Sequence, residues 1–262
     1  MDLIEMISFS NLQMEQLRSE SVRVFEGSMA EHLREFSPPL CKSLSDAELL
    51  TVIQYGMYRA KSQGFDQRGP TRLWLENALL FGSDFDTDPQ YPWVREALGD
   101  REVAQMQRAK NLYYQTLAYR SSVGGEQDAL TLAALGRIRP SVEALPELTP
   151  SNFYRVASAS LTEIYPEKAA SIDPPALQGL IAHGIETATR YGIGALRGQM
   201  LMVTLIYAFG HRCDTDPLYP WIHRTLTNDQ LGNPDARADK LERKALIWLD
   251  HVLAYFAEDA SA

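Results

Sequence analysis

The chain has almost no cysteine, with only Cys41 and Cys213 in 262 residues. Two isolated cysteines offer no disulfide framework, and both are read as reduced, partly buried thiols. It lacks an apolar run of the roughly 18 residues needed to cross a bilayer. The longest such stretch, 199–210, is short and interrupted by Thr204. A basic leader is also missing: the sequence opens Met1-Asp-Leu-Ile-Glu-Met-Ile7, acidic where a secretory signal carries positive charge. The expectation is a cytoplasmic protein with no membrane association. Basic excess is absent too, since the net charge is −9. An acidic surface repels phosphate backbones and argues against nucleic acid, while it suits a basic protein partner. No stretch alternates in strand fashion for more than a few residues, and no Asn-Gly hairpin signal appears. The expected fold class is all-α.

What is present is self-similarity. Phe81-Gly-Ser-Asp-Phe-Asp-Thr-Asp-Pro-Gln-Tyr-Pro-Trp93 recurs as Phe209-Gly-His-Arg-Cys-Asp-Thr-Asp-Pro-Leu-Tyr-Pro-Trp221, 128 residues later. The offset holds without a gap back to Leu49 and Leu177, and Phe25/Phe153 and Pro38/Pro166 echo it. Such spacing is read as a tandem doubling of one helical module. The expected organisation is copy one over 1–125, a connecting helix over 126–148 broken at Pro140, and copy two over 149–262, packed together as one bundle-like body. Leu117-Ala-Tyr119 matches Leu253-Ala-Tyr255 at an offset of 136, which implies about eight extra residues in copy two, near 228–237.

Shared residues Leu49, Ile53, Gly56 and Ala60, repeated as Leu177, Ile181, Gly184 and Ala188, form one stripe of a 3.6-residue helix. Glycine inside a helix costs about 1 kcal/mol relative to alanine, so Gly56 and Gly184 predict close packing. Gly64 and Gly192 fall where a left-handed C-cap belongs. Ser45-Asp-Ala-Glu48 reads as a capping box, and Asp173-Pro-Pro as a cap followed by proline.

Asp84, Asp86 and Asp88 resemble the start of a calcium loop, but Pro89 and Arg95 stand where that loop needs Gly and Glu. In copy two the first position is Arg212, which repels a cation. The better reading is a turn. Gly82 and Gly210 end the preceding helix, the Asp-Thr-Asp side chains bond turn amides, and Pro89, Pro92, Pro217 and Pro220 set direction. Phe81, Tyr91, Trp93, Phe209, Tyr219 and Trp221 then anchor the turn in the core. A zinc site can be drawn from His211, Cys213 and His223, yet copy one has Ser83, Phe85 and Arg95 there. No Gly-x-Ser-x-Gly elbow is present, and Tyr191-Gly-Ile-Gly-Ala-Leu-Arg197 follows a helix rather than the strand a phosphate cradle requires. Arg68, Arg72 and Arg197 are read as solvated. No catalytic residue, metal or cofactor is expected.

The motif resembles a bacterial helical family with a (Phe/Leu)-Gly-x-Asp-Phe-Asp-x-Asp-Pro-x-Tyr-Pro-Trp signature, encoded beside type VI secretion and PAAR-linked toxin effectors. Gln13-Met-x2-Leu17, Phe25-Glu-x2-Met29-x2-His32-Leu-Arg34, Leu44-Ser-Asp-x-Glu-Leu49, Gly56, Arg59-Ala60 and Gly64 are similar as well. The likeness spans about 1–120. Copy two departs from it at Arg212, Cys213 and Thr187. The resemblance implies a protein-binding module: an immunity protein that neutralises a cognate toxin, or an effector adaptor or chaperone. A metal-dependent enzyme is a third alternative. The expected contact residues, chosen for acidity and divergence, are Asp84, Asp86, Asp88, Asp214, Asp216, Asp229 and Asp235, set against a basic toxin or effector domain.

Overall fold

The computed structural model describes residues 11–259, so the acidic opening at 1–7 lies outside the described residues. Helices joined by turns and short irregular loops make up the described residues, with no strand among them. The first half runs α1 (Asn11–Phe36), α2 (Pro38–Cys41), α3 (Asp46–Ser62), α4 (Arg68–Phe81), α5 (Pro92–Leu98) and α6 (Gln105–Tyr119). A π-turn and a 3-10 turn lead into α7 (Ala129–Glu143). The second half runs α8 (Phe153–Ile164), α9 (Pro166–Ser171), α10 (Pro174–Arg190), α11 (Leu196–Phe209), α12 (Pro220–Leu226) and α13 (Pro234–Asp259).

The 128-residue offset reappears in the helix bounds: α3, α4 and α5 shifted by that amount are α10, α11 and α12. Helices α2 and α9 both open on the matched prolines Pro38 and Pro166, and α8 corresponds to the last twelve residues of α1. Local chemistry explains the shared ends. Both Gly64 and Gly192 sit at φ near +77°, and the following residue donates five back, Phe65 to Ala60 O and Ile193 to Ala188 O, each at 2.9 Å. This is a left-handed helix stop with a buried apolar residue behind it. At the other end, Ser45 and Glu48 exchange the two bonds of a capping box, whereas the Asp173 side chain makes no cap bond and proline alone sets the start of α10.

Two expectations need correction. Pro140 does not break α7, which continues to Glu143; Pro140 lies so near the end that its own carbonyl accepts the terminal bond from Ala144. The eight-residue insertion is also wrong. Arg108 of α6 donates to Leu98 O at 2.7 Å, and Arg237 of α13 donates to Leu226 O at 2.9 Å. Leu112 and Leu241 are both fully buried, and Tyr119 and Trp248 both pack on a motif Phe–Tyr pair. These pairs all share an offset of 129, so copy two has a single extra residue. The echo at 136 lies seven residues away, which is two helical turns and returns nearly the same face.

Buried apolar residues from both halves, including Leu33, Leu49 and Ile53 with Leu161, Ile181, Leu205 and Leu241, form one continuous cluster. A second cluster around Phe65, Trp74, Phe85 and Leu112 belongs to the first half alone. The helical glycines are contact points. A Cβ on Gly184 would stand 2.5 Å from Val203 Cγ2 and 2.8 Å from Val203 Cα, and one on Gly56 would collide with Leu75 Cδ2. Gly179, in the same helix, has nothing within 4 Å of such an atom. Gly184→Ala is therefore expected to destabilise by about 1–3 kcal/mol through overpacking, and Gly179→Ala to stabilise by up to about 1 kcal/mol. Guanidinium denaturation of the two variants checks the pair; equal midpoints would contradict the close-packing account.

Candidate functional site

The two motif turns stand back to back at the centre of the molecule. Gly82 and Gly210 have φ of +97° and +101°, so each needs a residue tolerant of the left-handed region. Each also faces the other: a Cβ on Gly82 would lie 2.8 Å from Phe209 O, and one on Gly210 3.1 Å from Phe81 O.

The aspartates tie this junction reciprocally. Asp88 Oδ1 accepts the backbone N–H of Gln90 in its own turn (2.9 Å), while Oδ2 accepts the N–H of His211 in the other copy (2.8 Å). Asp216 repeats this with Leu218 N–H (2.9 Å) and Ser83 N–H (2.8 Å), and adds the Ser83 hydroxyl (2.6 Å). Asp86 is held by Arg59 of α3 (2.5 Å) and by Gln63 just beyond its end (3.0 Å). Its counterpart Asp214 is held by Arg190 at the end of α10 (2.8 Å) and by the next residue, Tyr191 (3.0 Å). The arginine has moved one turn along the helix, from the position of Thr187 to that of Ser62, and reaches the same carboxylate. Asp84 accepts from Tyr55 (2.8 Å) and lies 3.8 Å from Arg212. Arg212 occupies the position equivalent to Asp84, so the departure between copies places opposite charges across the junction where two aspartates would repel.

Asp84, Asp88, Asp214 and Asp216 are buried, and the Asp86 side chain is fully enclosed. Buried hydrogen bonds to charged groups are worth about 1.5–3 kcal/mol each, against about 0–1 for an exposed ion pair. Withdrawing these carboxylates to meet a partner would forfeit more than a surface contact returns. Five of the seven expected contact residues are therefore structural. Asp229 and Asp235 do lie on the surface, the first 3.5 Å from Arg237 and the second accepting the N–H of Ala195, where α11 begins. The motif aromatics pack as anticipated, with Phe81 against Tyr91 (4.9 Å) and Trp93 (5.7 Å), and Phe209 against Tyr219 (4.5 Å) and Trp221 (6.3 Å).

His183 donates to His211 O and His223 to Asp214 O, because a carbonyl only accepts. His211 faces Asp88 at 3.4 Å, and Cys213 is buried. Among the described residues no group of three or more His, Cys, Asp or Glu is arranged to hold a metal ion. Burial pushes the Cys41 thiol up to about 11 and the Cys213 thiol well above the ordinary range, so neither is poised as a nucleophile.

Behind the turns, bounded by both copies and by α7, lies a half-enclosed cavity of about 240 Å³. Leu79, Phe81, Tyr91, Tyr119, Phe209 and Trp248 supply much of its wall, and Lys168 of α9 is buried in it. Burial pushes the Lys168 ammonium down to about 8, against the pull of Asp88. Sequence reasoning missed this lysine. The signal was its place at the position of Leu40, an apolar site in copy one.

On the outside, α7 covers the face shared by α11 and α13. Ile138 and Val142 close over Leu201, Thr204 and Leu205 of α11 and Ala245, Leu246 and Leu249 of α13, and Arg139 clasps Asp250 at 2.7 Å. The corresponding face of α4 and α6 carries no such helix among the described residues. There Tyr113 and Leu117 are 47% and 42% exposed, beside exposed Met106 and Tyr114, and a shallow groove runs past Arg72, Leu73, Glu76 and Lys110.

Compared with protein-family models, curated proteins and solved structures, the chain matches none. No described helix is long and apolar enough to cross a membrane.

The two crossing carboxylates differ in titration. Burial raises Asp88, but His211 and the N–H groups of Gln90 and His211 outweigh it and hold the carboxyl below its ordinary range. Burial dominates at Asp216, which stays above that range despite Ser83 and Leu218. Asp88 thus contributes stability that is present above the ordinary carboxyl pKa of about 3.9 and lost as pH falls through its lower folded value. Asp216 contributes stability that is present at low pH and lost as pH rises through its raised value. Denaturation at about pH 7 and pH 3 should show Asp88→Asn losing less stability on acidification than the parent chain, and Asp216→Asn losing more. Identical slopes for both would refute the assignment. Asp216→Ala, which strands three buried donors, is expected to cost about 3 kcal/mol or more.

Proposed function

We propose that the chain is a non-enzymatic protein-recognition module that receives an α-helix of its partner on the α4–α6 face. One observation carries this reading: the matching face of the second copy is already occupied by a helix, α7, packed through Ile138 and Val142. Two modules of one plan therefore present one filled and one bare helix-binding face. Helix-in-groove recognition uses apolar anchors at helical spacing, and Tyr113, Leu117 and Met106 supply the receiving side. Arg72 and Lys110 flank the groove, while Glu76 is already shared by His32 (2.7 Å) and Arg72 (2.8 Å). A partner helix with an apolar stripe, carried on a domain of basic net charge, fits this groove.

The biological role follows the resemblance: an immunity protein that binds and neutralises a cognate type VI secretion-associated toxin in the cytoplasm. Net charge −9 supports fast association with a basic partner, although the charges that steer it are the scattered surface acids and not the motif aspartates. The apolar character of the α4–α6 face favours a second reading, an adaptor that holds the apolar loading segment of an effector. Pull-down with the toxin domain and the loading segment expressed separately distinguishes the two.

Tyr113→Glu together with Leu117→Glu should weaken partner binding tenfold or more, which is about 1.4 kcal/mol or more, and abolish protection in co-expression with the neighbouring toxin. Ile247→Glu, on the exposed side of α13, should change neither. Titration calorimetry and toxin survival assays read the result. Full protection by the double variant would remove the α4–α6 face from the proposal, and killing in the presence of the folded native chain would end the immunity reading.

A further inference from the structure

Lys168 is a buried cation that makes no ion pair among the described residues. Its ammonium donates to Tyr207 O at 2.6 Å and to the Tyr91 hydroxyl at 3.1 Å, and stands over the rings of Tyr207 and Tyr91 at 4.8 and 5.2 Å. All of these partners are neutral, and among the described residues no carboxylate lies within ion-pair distance, Asp88 acting only from further off. Taking an ammonium out of water is costly, and a backbone carbonyl with two ring faces offsets only part of that cost.

Copy one shows that the fold does not need the charge. Leu40 of α2 holds the equivalent position and is buried to a similar degree. A lysine where leucine suffices, facing a cavity, asks for a chemical reason. Hydrogen-bond accounting around it points the same way. An ammonium has three N–H donors and Lys168 uses two. The Tyr91 hydroxyl accepts from Lys168 and retains its own proton. The Tyr119 hydroxyl is buried in the same wall, near Ser171 but without a well-formed hydrogen bond. Lys168, Tyr91 and Tyr119 thus bring spare donors to one end of a mostly apolar wall, in which Arg120, Asp128, Thr131 and Tyr165 are the main other polar groups.

We infer that this cavity binds a small amphipathic organic acid, with its carboxylate received by Lys168, Tyr91 and Tyr119 and its apolar body lying along Leu79, Phe209 and Trp248. The cavity, about 240 Å³, lies just below the range of drug-sized ligand pockets, about 300 to 1,000 Å³. That size selects a short acid over a long-chain lipid. Because α7 and α13 both contribute wall, through Leu132, Leu135, Trp248 and Val252, occupancy also braces the helix that covers the second copy. This inference is independent of the partner-binding role: either can fail while the other stands.

The experiment is titration calorimetry and thermal unfolding of the full chain with octanoate, 1-octanol and octylamine as probes. Octanoate should bind and raise Tm, octanol at least tenfold more weakly, and octylamine not at all. Lys168→Leu, which installs the residue of copy one, should leave the unliganded chain as stable as before or more so. It should weaken octanoate tenfold or more while leaving octanol unchanged. Lys168→Met serves the same purpose should the leucine variant fail to fold. Tyr119→Phe should weaken octanoate severalfold and spare octanol. Absence of binding by octanoate, hexanoate and benzoate at millimolar concentration would overturn the inference, as would equal affinity for acid and alcohol or unchanged affinity in both Lys168 variants.

Discussion

Everything in this molecule is organised around two carboxylates that reach across to each other's turn. Asp88 and Asp216 each bond one amide in their own corner and one in the opposite corner. The arrangement requires the backbones to touch, and only glycine at 82 and 210 permits that approach. Once the corners are joined, α4 and α11 end side by side, and buried residues of both halves share one cluster. The motif that looks most like a metal loop is thus the fastening of the scaffold. Its acids are consumed by amides, arginines and each other's neighbours, leaving nothing to offer an ion.

Joining two similar corners creates a problem of like charge that the substitutions between copies solve. Arg212 replaces the second copy's counterpart of Asp84 and faces Asp84 itself. Arg190 replaces the lost Arg59 from a turn further along. These changes preserve the junction. Others do not serve it: Lys168 in place of Leu40, a covering helix on one copy only, and exposed Tyr113 and Leu117 on the other. Both proposals rest on such departures, which the scaffold does not need.

The all-α class, the glycine caps at Gly64 and Gly192 and the glycine-ended turns of the motif were legible in the chain, because each depends on local backbone preference or on periodicity within one helix. The register of the last helix was not. A slip of seven residues returns almost the same face, so Leu117-Ala-Tyr119 could pair with Leu253-Ala-Tyr255 until Arg108 and Arg237 were seen to hold equivalent carbonyls. The fate of Pro140 likewise depended on how far α7 extended beyond it.

The sequence by itself determined the helices, their starts and stops, and the presence of two corners of one design, since caps, prolines and glycines act through bonds to near neighbours. Only the tertiary structure decided that the corners meet. Burial of an aspartate depends on which distant amide occupies the space beside it, and no spacing along the chain encodes that Asp216 would find Ser83 or that Lys168 would find only tyrosines. The same residues that read as an acidic surface in one dimension are interior fastenings in three, because solvent exposure belongs to the packed arrangement and not to the side chain.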